Sequence, residues 1–287
     1  MTRKLLLLCL TLSIAFVDPF PGIGVRSDRL AQKSPHPTRH EYECLEPVSQ
    51  GKAEPAPAVT PIQVVNEMLE QIDPDRALTG LRKLTGEEPI IVGTASYTIT
   101  DRASGDGLDL ALGYLYENLS KLDYSVEFQG WSHFGYADRN LIATKPGVIS
   151  PTEKIYFVAH VDGIGSWFGD RCPSADDNAS SVADGLEMAR VLNDFSFGRT
   201  IVLLFTTGEE AGMFGAHAHV DQLSAQELNS IKYVITGDMI GYDENGDRWV
   251  QLYYGDHLPS LALAQVMSET IAAYQLDLVP NLSQEEG

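Results

Sequence analysis

The 287-residue chain carries 20 Lys and Arg against 40 Asp and Glu, which gives a formal net charge of −20 at pH 7. A surface this acidic repels phosphate backbones and anionic lipids, which excludes nucleic acid as the main partner. Apolar residues make up 44% of the chain, enough to bury a full α/β core in one large domain.

The beginning of the chain has the composition of a targeting segment. Arg3 and Lys4 precede an apolar run over residues 5–17, which is the length of a signal-peptide core, so we predict a signal peptide over residues 1–22. Asp18 ends the run short of the roughly 20 apolar residues that a membrane-spanning helix needs. An uncleaved anchor is therefore the second choice, and we expect a secreted or periplasmic protein with no membrane contact after the signal is removed.

Residues 23–60 are dense in Pro, Ser, Gln and charged residues, which is typical of a linker or prosegment. Residues 61–287 then form the predicted domain. Export would permit Cys44 and Cys172 to pair, but we expect two unpaired thiols because Cys44 lies in the linker.

The predicted elements of the domain begin with helices and continue with alternating strands and helices. Apolar residues at helical spacing predict early helices over residues 64–72, 75–84 and 108–122. Runs of β-branched and aromatic residues predict strands over 125–128, 141–144, 155–159, 201–205 and 233–235. Further helices are predicted over 180–193, 212–223 and 261–274. This alternation indicates a largely parallel sheet with helices on both faces.

Acidic and imidazole side chains follow the last three predicted strands. In a parallel sheet the carboxyl ends of the strands share one edge, so these side chains should converge there. One further Asp precedes the helix at residue 180, near the positive end of the helix dipole. The candidates are His160, Asp162, Asp177, Glu209, Glu210 and Asp238. Histidine with several carboxylates is the ligand set of a hydrolytic two-metal centre.

These candidates lie in four motifs with a specific order along the chain. The motifs are His160-Val161-Asp162, Ala175-Asp176-Asp177-Asn178-Ala179-Ser180, Gly208-Glu209-Glu210 followed by Met213-Phe214-Gly215, and Asp238-Met239-Ile240-Gly241. The combination resembles the secreted zinc aminopeptidases of the bacterial leucyl aminopeptidase type, over residues 64–254. The resemblance implies a three-layer α/β/α sandwich of the phosphorylase/hydrolase-like type, with a mainly parallel central sheet.

The resemblance also implies a centre of two zinc ions. Asp177 would bridge both metals, His160 and Asp238 would complete one site, and Glu210 would bind the other. It further implies a cis peptide bond between Asp177 and Asn178. Carboxylate-rich dinuclear sites also accept manganese or cobalt.

The catalytic roles implied by the resemblance fall on two other acids. Glu209 would be the general base, and Asp162 would hydrogen-bond to His160 and fix its tautomer. Water activated by the metals would attack the first peptide bond, and Glu209 would return the proton to the departing amine. The expected substrates are peptides with a free N-terminus.

One feature of the resembled family is missing from this sequence. Those enzymes carry a further metal-binding His after the strand that precedes Asp238, and here the only later histidine is His257. Residues 255–259 are more typical of a helix start than of a ligand turn, so we do not assign His257 to the metal. We therefore expect a domain that is incomplete at its C-terminus.

Two alternatives to an aminopeptidase stay open. One is a related zinc hydrolase with another substrate, such as a carboxypeptidase, an amidohydrolase or a glutaminyl cyclase relative. The other is a catalytically impaired metal-binding fragment, which the missing histidine favours but the presence of Glu209 opposes.

Overall fold

The computed structural model describes residues 59–165 and 172–284. The predicted signal peptide, Cys44 and all but the last two residues of the predicted linker lie outside these ranges. Cys172 forms no disulfide with any described residue. None of the helices in the described ranges is long and apolar enough to cross a membrane.

Within the described residues, seven strands and helices precede β5 (Ser150–His160), the sheet strand that leads into the candidate site. They are α1 (Gln63–Gln71), α2 (Pro74–Leu84), β1 (Ile90–Val92), β2 (Ala95–Tyr97), α3 (Asp106–Leu119), β3 (Ser125–His133) and β4 (Tyr136–Lys145). The three early helices confirm the helical periodicity of the sequence. The start of α2 follows from its first residues, since the Asp73 carboxylate accepts hydrogen bonds from the backbone of Asp75 and Arg76, and Pro74 occupies the first turn.

The remaining elements of the described part of the chain are four helices and four strands. After an irregular helical turn at Ala175–Ser180, they are α4 (Ser181–Asn193), β6 (Arg199–Thr206), α5 (Phe214–Gln222), α6 (Ala225–Ser230), β7 (Ile231–Thr236), β8 (Trp249–Tyr254), α7 (Leu258–Ala273) and β9 (Val279–Gln284). All five predicted strands and the helices between them are present. The short hairpin of β1 and β2 and the strands β8 and β9 were not predicted.

The central sheet has five strands in the order β3-β4-β6-β5-β7. The β5–β6 and β5–β7 pairs are parallel, and the β3–β4 and β4–β6 pairs are antiparallel, so the sheet is mixed. The antiparallel pairing of β3 and β4 follows from their connection, because a two-residue turn can join only antiparallel strands. The predicted parallel arrangement applies to β5, β6 and β7, and these three strands lead into the loops of the candidate site.

Helices cover both faces of this sheet, which gives the expected three layers. Alternate residues of β5 face opposite sides: Ile155 and Phe157 join the main core, whereas Tyr156 lies in a smaller cluster on the other face. Helix α4 packs on the main-core face and passes close to the sheet at Gly185, where a methyl group would lie 2.8 Å from the ring of Phe157. Helix α5 lies on the second face. The α/β class is thus confirmed.

Strands β8 and β9 form a separate parallel pair joined by α7. Residues of this unit, including Val250 and Ile271, contribute to the main core. The unit also contacts the first described residues, since the Val59 backbone donates to the Glu269 carboxylate at 3.2 Å and the Ile62 backbone donates to the Tyr274 hydroxyl at 3.0 Å. The first described residues therefore pack against the C-terminal half of α7.

Candidate metal centre

The site is organised around His160, the last residue of β5. Its side chain is only 5% exposed. The Nε2 atom lies 3.1 Å from Asp177 Oδ1, 3.7 Å from Asp238 Oδ1 and 3.9 Å from Glu209 Oε2. Nε2 is buried and has no hydrogen-bond partner. A buried ring nitrogen facing three carboxylates without a hydrogen bond is a cation-binding arrangement.

Asp177 reaches this position through the irregular turn that precedes α4. The Asp176 carboxylate accepts a hydrogen bond from the backbone of Gly241 at 2.6 Å, and the Asn178 amide donates to the carbonyl of Gly237 at 2.9 Å. The peptide bond between Asp177 and Asn178 is cis, as the resemblance implies. These contacts join the turn to the loop after β7, which carries Asp238.

His160, Asp177 and Asp238 form one group of donors. One ligand atom from each of the three lies within 4.8 Å of the others. Within residues 59–165 and 172–284, this is the only place where three or more His, Cys, Asp or Glu side chains meet so closely. The convergence agrees with the prediction that the loops after β5 and β7 meet at one edge of the sheet.

Asp162 lies directly behind His160, although the contact differs from the expected one. The Nδ1 atom of His160 lies 3.1 Å from the backbone oxygen of Asp162 and 3.7 Å from its carboxylate, so the carbonyl is the hydrogen-bonding partner. A carbonyl only accepts, which places a proton on Nδ1, so the neutral form of the ring presents the lone pair of Nε2 to a cation. The Asp162 carboxylate instead accepts from the backbone of Glu210 at 3.1 Å.

Glu209 and Glu210 lie in the loop between β6 and α5. Neither glutamate belongs to the three-donor group. The Glu209 carboxylate nevertheless faces His160, at 3.9 Å from Nε2. Asn140 holds both ends of the loop, since its side chain accepts from the backbone of Thr207 at 3.2 Å and donates to the carbonyl of Gly215 at 2.8 Å. The loop is thus fixed to the sheet, and its acids are held beside Asp162.

The carboxylates of the site repel one another, and a positive charge between them would reduce that repulsion. Burial lowers the pKa of His160, but the carboxylates of Asp162, behind the ring, and of Asp238 and Glu209, in front of it, outweigh burial and raise the pKa to about 10. Burial raises the pKa values of Glu209 and Glu210, and the neighbouring acids add to both increases. Each carboxylate therefore favours a proton or a cation nearby, and the donor set fits a metal ion such as zinc.

Arg102, which lies in none of the sequence motifs, connects the two halves of the site, namely the end of β5 with His160 and the turn that carries Asp177. It is 1% exposed, and its guanidinium donates to the carbonyls of Leu84, Val161, Pro173 and Ser174, each at 2.8 Å. The Val161 carbonyl lies between His160 and Asp162, and Ser174 leads into the turn that carries Asp177. Nothing in the sequence around Arg102 distinguishes it from a surface arginine, because its four partners are distant in sequence.

His257 is not part of the centre. Its side chain is 64% exposed and lies beside Asp256, at the start of α7. This position agrees with the expectation that residues 255–259 begin a helix.

Comparison with known proteins places the chain in a sequence family. A model of the family described as Peptidase family M28 matches residues 140–287, a range that contains all six candidate residues. The probable leucine aminopeptidase 2 of Aspergillus oryzae is 30% identical over 121 residues, which are 39% of this chain and 23% of the relative. Aminopeptidase YwaD of Bacillus subtilis is 34% identical over 104 residues, which are 36% of this chain and 22% of that protein. The matched segments thus span about a quarter of these relatives.

Among solved structures, LapB from Legionella pneumophila is similar with a TM-score of 0.62 and 21% identity, covering 82% of this chain and 61% of LapB. At this identity the likeness shows a shared fold.

Proposed function

Because the chain belongs to peptidase family M28, we propose that it is a zinc-dependent aminopeptidase that removes the N-terminal residue from peptides. The observation that carries the proposal is the buried, unpartnered Nε2 of His160 facing Asp177, Asp238 and Glu209. The names of the two matched relatives, a leucine aminopeptidase and an aminopeptidase, support the substrate class.

In this proposal His160, Asp177 and Asp238 hold one zinc ion. Imidazole and carboxylate donors suit zinc, and the three residues already lie together. Asp177 would be shared with a second zinc, for which Glu210 is the other protein ligand. Support for this second site comes from the order of the motifs and from the backbone contact that holds Glu210 beside Asp162.

Glu209 is the proposed general base. Its carboxylate faces the metal group at 3.9 Å from His160 Nε2 without joining the three donors, so it remains available to take a proton from water. Burial and the nearby acids raise its pKa, which suits a group that accepts a proton and then returns it to the departing amine. When bound, zinc supplies Lewis acidity for activating water and polarising the peptide carbonyl.

The surrounding residues keep these groups in place. The Asp162 carbonyl fixes the tautomer of His160, and its carboxylate anchors the backbone of Glu210. Positioning of this kind matters because small displacements of catalytic groups reduce rates steeply.

The experiment that tests the function is hydrolysis of leucine p-nitroanilide by the zinc-supplemented protein. Glu209→Gln should reduce kcat by roughly 10²–10⁴-fold while retaining zinc, because it removes the base and no proposed ligand. Glu127→Gln is the matched control, since Glu127 is an exposed residue of β3. The N-acetylated substrate should not be cleaved.

The outcomes separate the parts of the proposal. Equal cleavage of the acetylated substrate would leave a metallopeptidase but refute the aminopeptidase. Full activity of Glu209→Gln would refute the assigned base. Zinc titration by isothermal calorimetry should give two ions per chain, and a single ion that is lost in His160→Ala would limit the centre to the three-donor group.

A further inference from the structure

A hairpin beside the candidate centre carries aromatic residues that the proposed chemistry does not use. His133 pairs with Tyr136, so the strands β3 and β4 are joined by the two-residue turn Phe134-Gly135. Both turn residues have positive φ, 48° and 86°. Such turns favour Asn, Asp or Gly at their first position, and a bulky aromatic residue there is unusual.

The unfavourable backbone position of Phe134 is not offset by burial. Its side chain is 84% exposed, and that of Tyr136 is 60% exposed. Residues 128–137 contain no Asp, Glu, Lys or Arg, in a chain with a net charge of −20. The tip of the hairpin is therefore an uncharged aromatic surface on an acidic protein. Exposed apolar residues held in strained positions are typical of binding sites.

This surface is continuous with the loop that carries Glu209. The ring of Phe214 lies 4.7 Å from His133, 5.8 Å from Tyr136 and 6.4 Å from Phe134, measured between centroids. The backbone of Phe214 donates to the carbonyl of Gly208 at 3.0 Å. The rings of His133, Phe134, Tyr136 and Phe214 thus form a cluster that packs directly against the loop carrying Glu209.

Met213, the neighbour of Phe214, extends the surface towards the site. Its backbone donates to the carbonyl of Glu209 at 2.8 Å, and its side chain is 51% exposed. The hairpin itself extends beyond the sheet edge. Leu141 pairs with Phe205 near the end of β6, and Tyr136, the first residue of β4, lies five residues before Leu141, past that end. Five strand residues span about 17 Å.

The order of the strands places Glu209 between the metal group and the hairpin. His160 and Asp238 follow β5 and β7, Glu209 follows β6, and β4 lies on the far side of β6. A base that returns its proton to the departing amine must face the part of the peptide that leaves. The leaving part of the substrate therefore lies on the hairpin side.

We propose that Phe134, Tyr136 and Met213 bind apolar side chains of the residues that follow the cleaved bond, so that the protein prefers peptides with apolar second and third residues. This inference rests on the proposed aminopeptidase function. An uncharged aromatic surface buries apolar side chains favourably and offers no ion pair to charged ones.

The test compares three substrates: Leu-Leu-Phe, Leu-Ser-Ser and leucinamide, which has no side chain after the cleaved bond. The variant Phe134→Asn removes the ring and introduces a residue that the turn favours, so the hairpin should fold at least as well. The ratio of kcat/KM for Leu-Leu-Phe to that for leucinamide should fall about tenfold, which is typical of losing one apolar contact. The ratio for Leu-Ser-Ser should change less than twofold.

Ile149→Asn is the matched control. Ile149 is 81% exposed, close to the value for Phe134, but it lies before β5 at the opposite edge of the sheet. This control should leave both ratios unchanged. An equal fall for both tripeptides, or an unchanged ratio in Phe134→Asn, would overturn the proposal.

A binding measurement separates this inference from the proposed function. If the unmodified protein cleaves none of the substrates, the aminopeptidase assignment fails, and the Kd for Leu-Leu-Phe still tests the surface. A Kd about tenfold weaker in Phe134→Asn than in Ile149→Asn would support peptide binding at the hairpin, and equal values would refute it. Sedimentation showing a dimer that Phe134→Asn dissociates would also refute it, because the surface would then bind a second copy of the chain.

Discussion

Replacing Arg102 with Met should weaken both the fold and the metal centre. The guanidinium is buried and donates to four carbonyls, those of Leu84, Val161, Pro173 and Ser174. Met has a similar length but donates no hydrogen bonds. The substitution therefore leaves four carbonyls to find other partners in a region that water reaches poorly.

The magnitude follows from the contacts and the burial. Hydrogen bonds from a charged donor contribute about 1.5–3 kcal/mol each, so four give roughly 6–12 kcal/mol. Burial opposes them and lowers the pKa of Arg102 from 12.5 to about 10, which corresponds to about 3 kcal/mol against the charged form. Because the carbonyls partly relax towards water, we expect the lower end of the difference, about 3–5 kcal/mol of lost unfolding free energy.

Urea denaturation of the zinc-free chain measures this change. Arg76→Met is the control, since Arg76 is exposed on α2 and pairs with Asp73 at 3.7 Å, and it should change stability by less than about 0.5 kcal/mol. Arg102→Met should also bind zinc more weakly at a temperature where the variant remains folded. A loss below about 1 kcal/mol, with unchanged zinc affinity, would refute the role of Arg102 in joining the two halves of the site.

Four further predictions concern the same region. The carboxylates around His160 overcome burial and raise its pKa from 6.5 to about 10. The protonated ring therefore stabilises the zinc-free fold fully below pH 6.5, and this contribution is lost as the pH rises to 10, so the urea midpoint should fall over that range. His160→Gln should abolish the fall in urea midpoint. At pH 8, calorimetry in buffers of different ionisation enthalpy should detect release of that proton on zinc binding, and its absence would contradict the pKa. Gly208 has φ 71°, and a methyl group there would lie 2.7 Å from the Trp131 ring, whereas Gly246 has φ 68° and nothing within 4 Å. Gly208→Ala should therefore reduce the free energy of unfolding by about 1–3 kcal/mol more than Gly246→Ala does. Equal reductions would show that the Trp131 ring moves without cost. Asn140→Ala removes the side chain that hydrogen-bonds to the Thr207 amide and the Gly215 carbonyl. We expect the free energy of unfolding, measured by urea denaturation, to fall by about 2–3 kcal/mol, and kcat to fall as well. An unchanged kcat would show that the loop with Glu209 does not need this anchor.

The sequence predicted the part of the fold in which local pattern and burial agree. The run 155–159 is apolar throughout and lies in β5, because both faces of that strand are covered. Strand β9 was not predicted, since Val279–Gln284 has no continuous apolar run and contains Pro280, which lacks the backbone N–H that strand pairing uses. Its pairing with β8 is a tertiary contact that the local pattern does not encode.

The candidate site was predictable in position but not in detail. His160, Asp177 and Asp238 meet because the loops after parallel strands share one edge, which is a rule of topology. The hydrogen bond from His160 to a carbonyl rather than to a carboxylate depends on the path of residues 160–162, and sequence spacing does not specify it. Arg102 shows the same limit, because its importance lies in four partners that only the folded chain brings together.

The electrostatics of the centre indicate why a divalent cation suits it better than a proton. The carboxylates of Asp177, Asp238 and Glu209 all lie within 4 Å of a single buried imidazole nitrogen. A proton on His160 places one positive charge on the ring, on one side of three negative groups, and the burial of that ring opposes it. A divalent ion would carry twice that charge, and Asp177, Asp238 and the neutral Nε2 of His160 would hold it, so it would relieve the repulsion without charging the ring. The same carboxylates that retain the proton at neutral pH therefore favour its replacement by a metal ion.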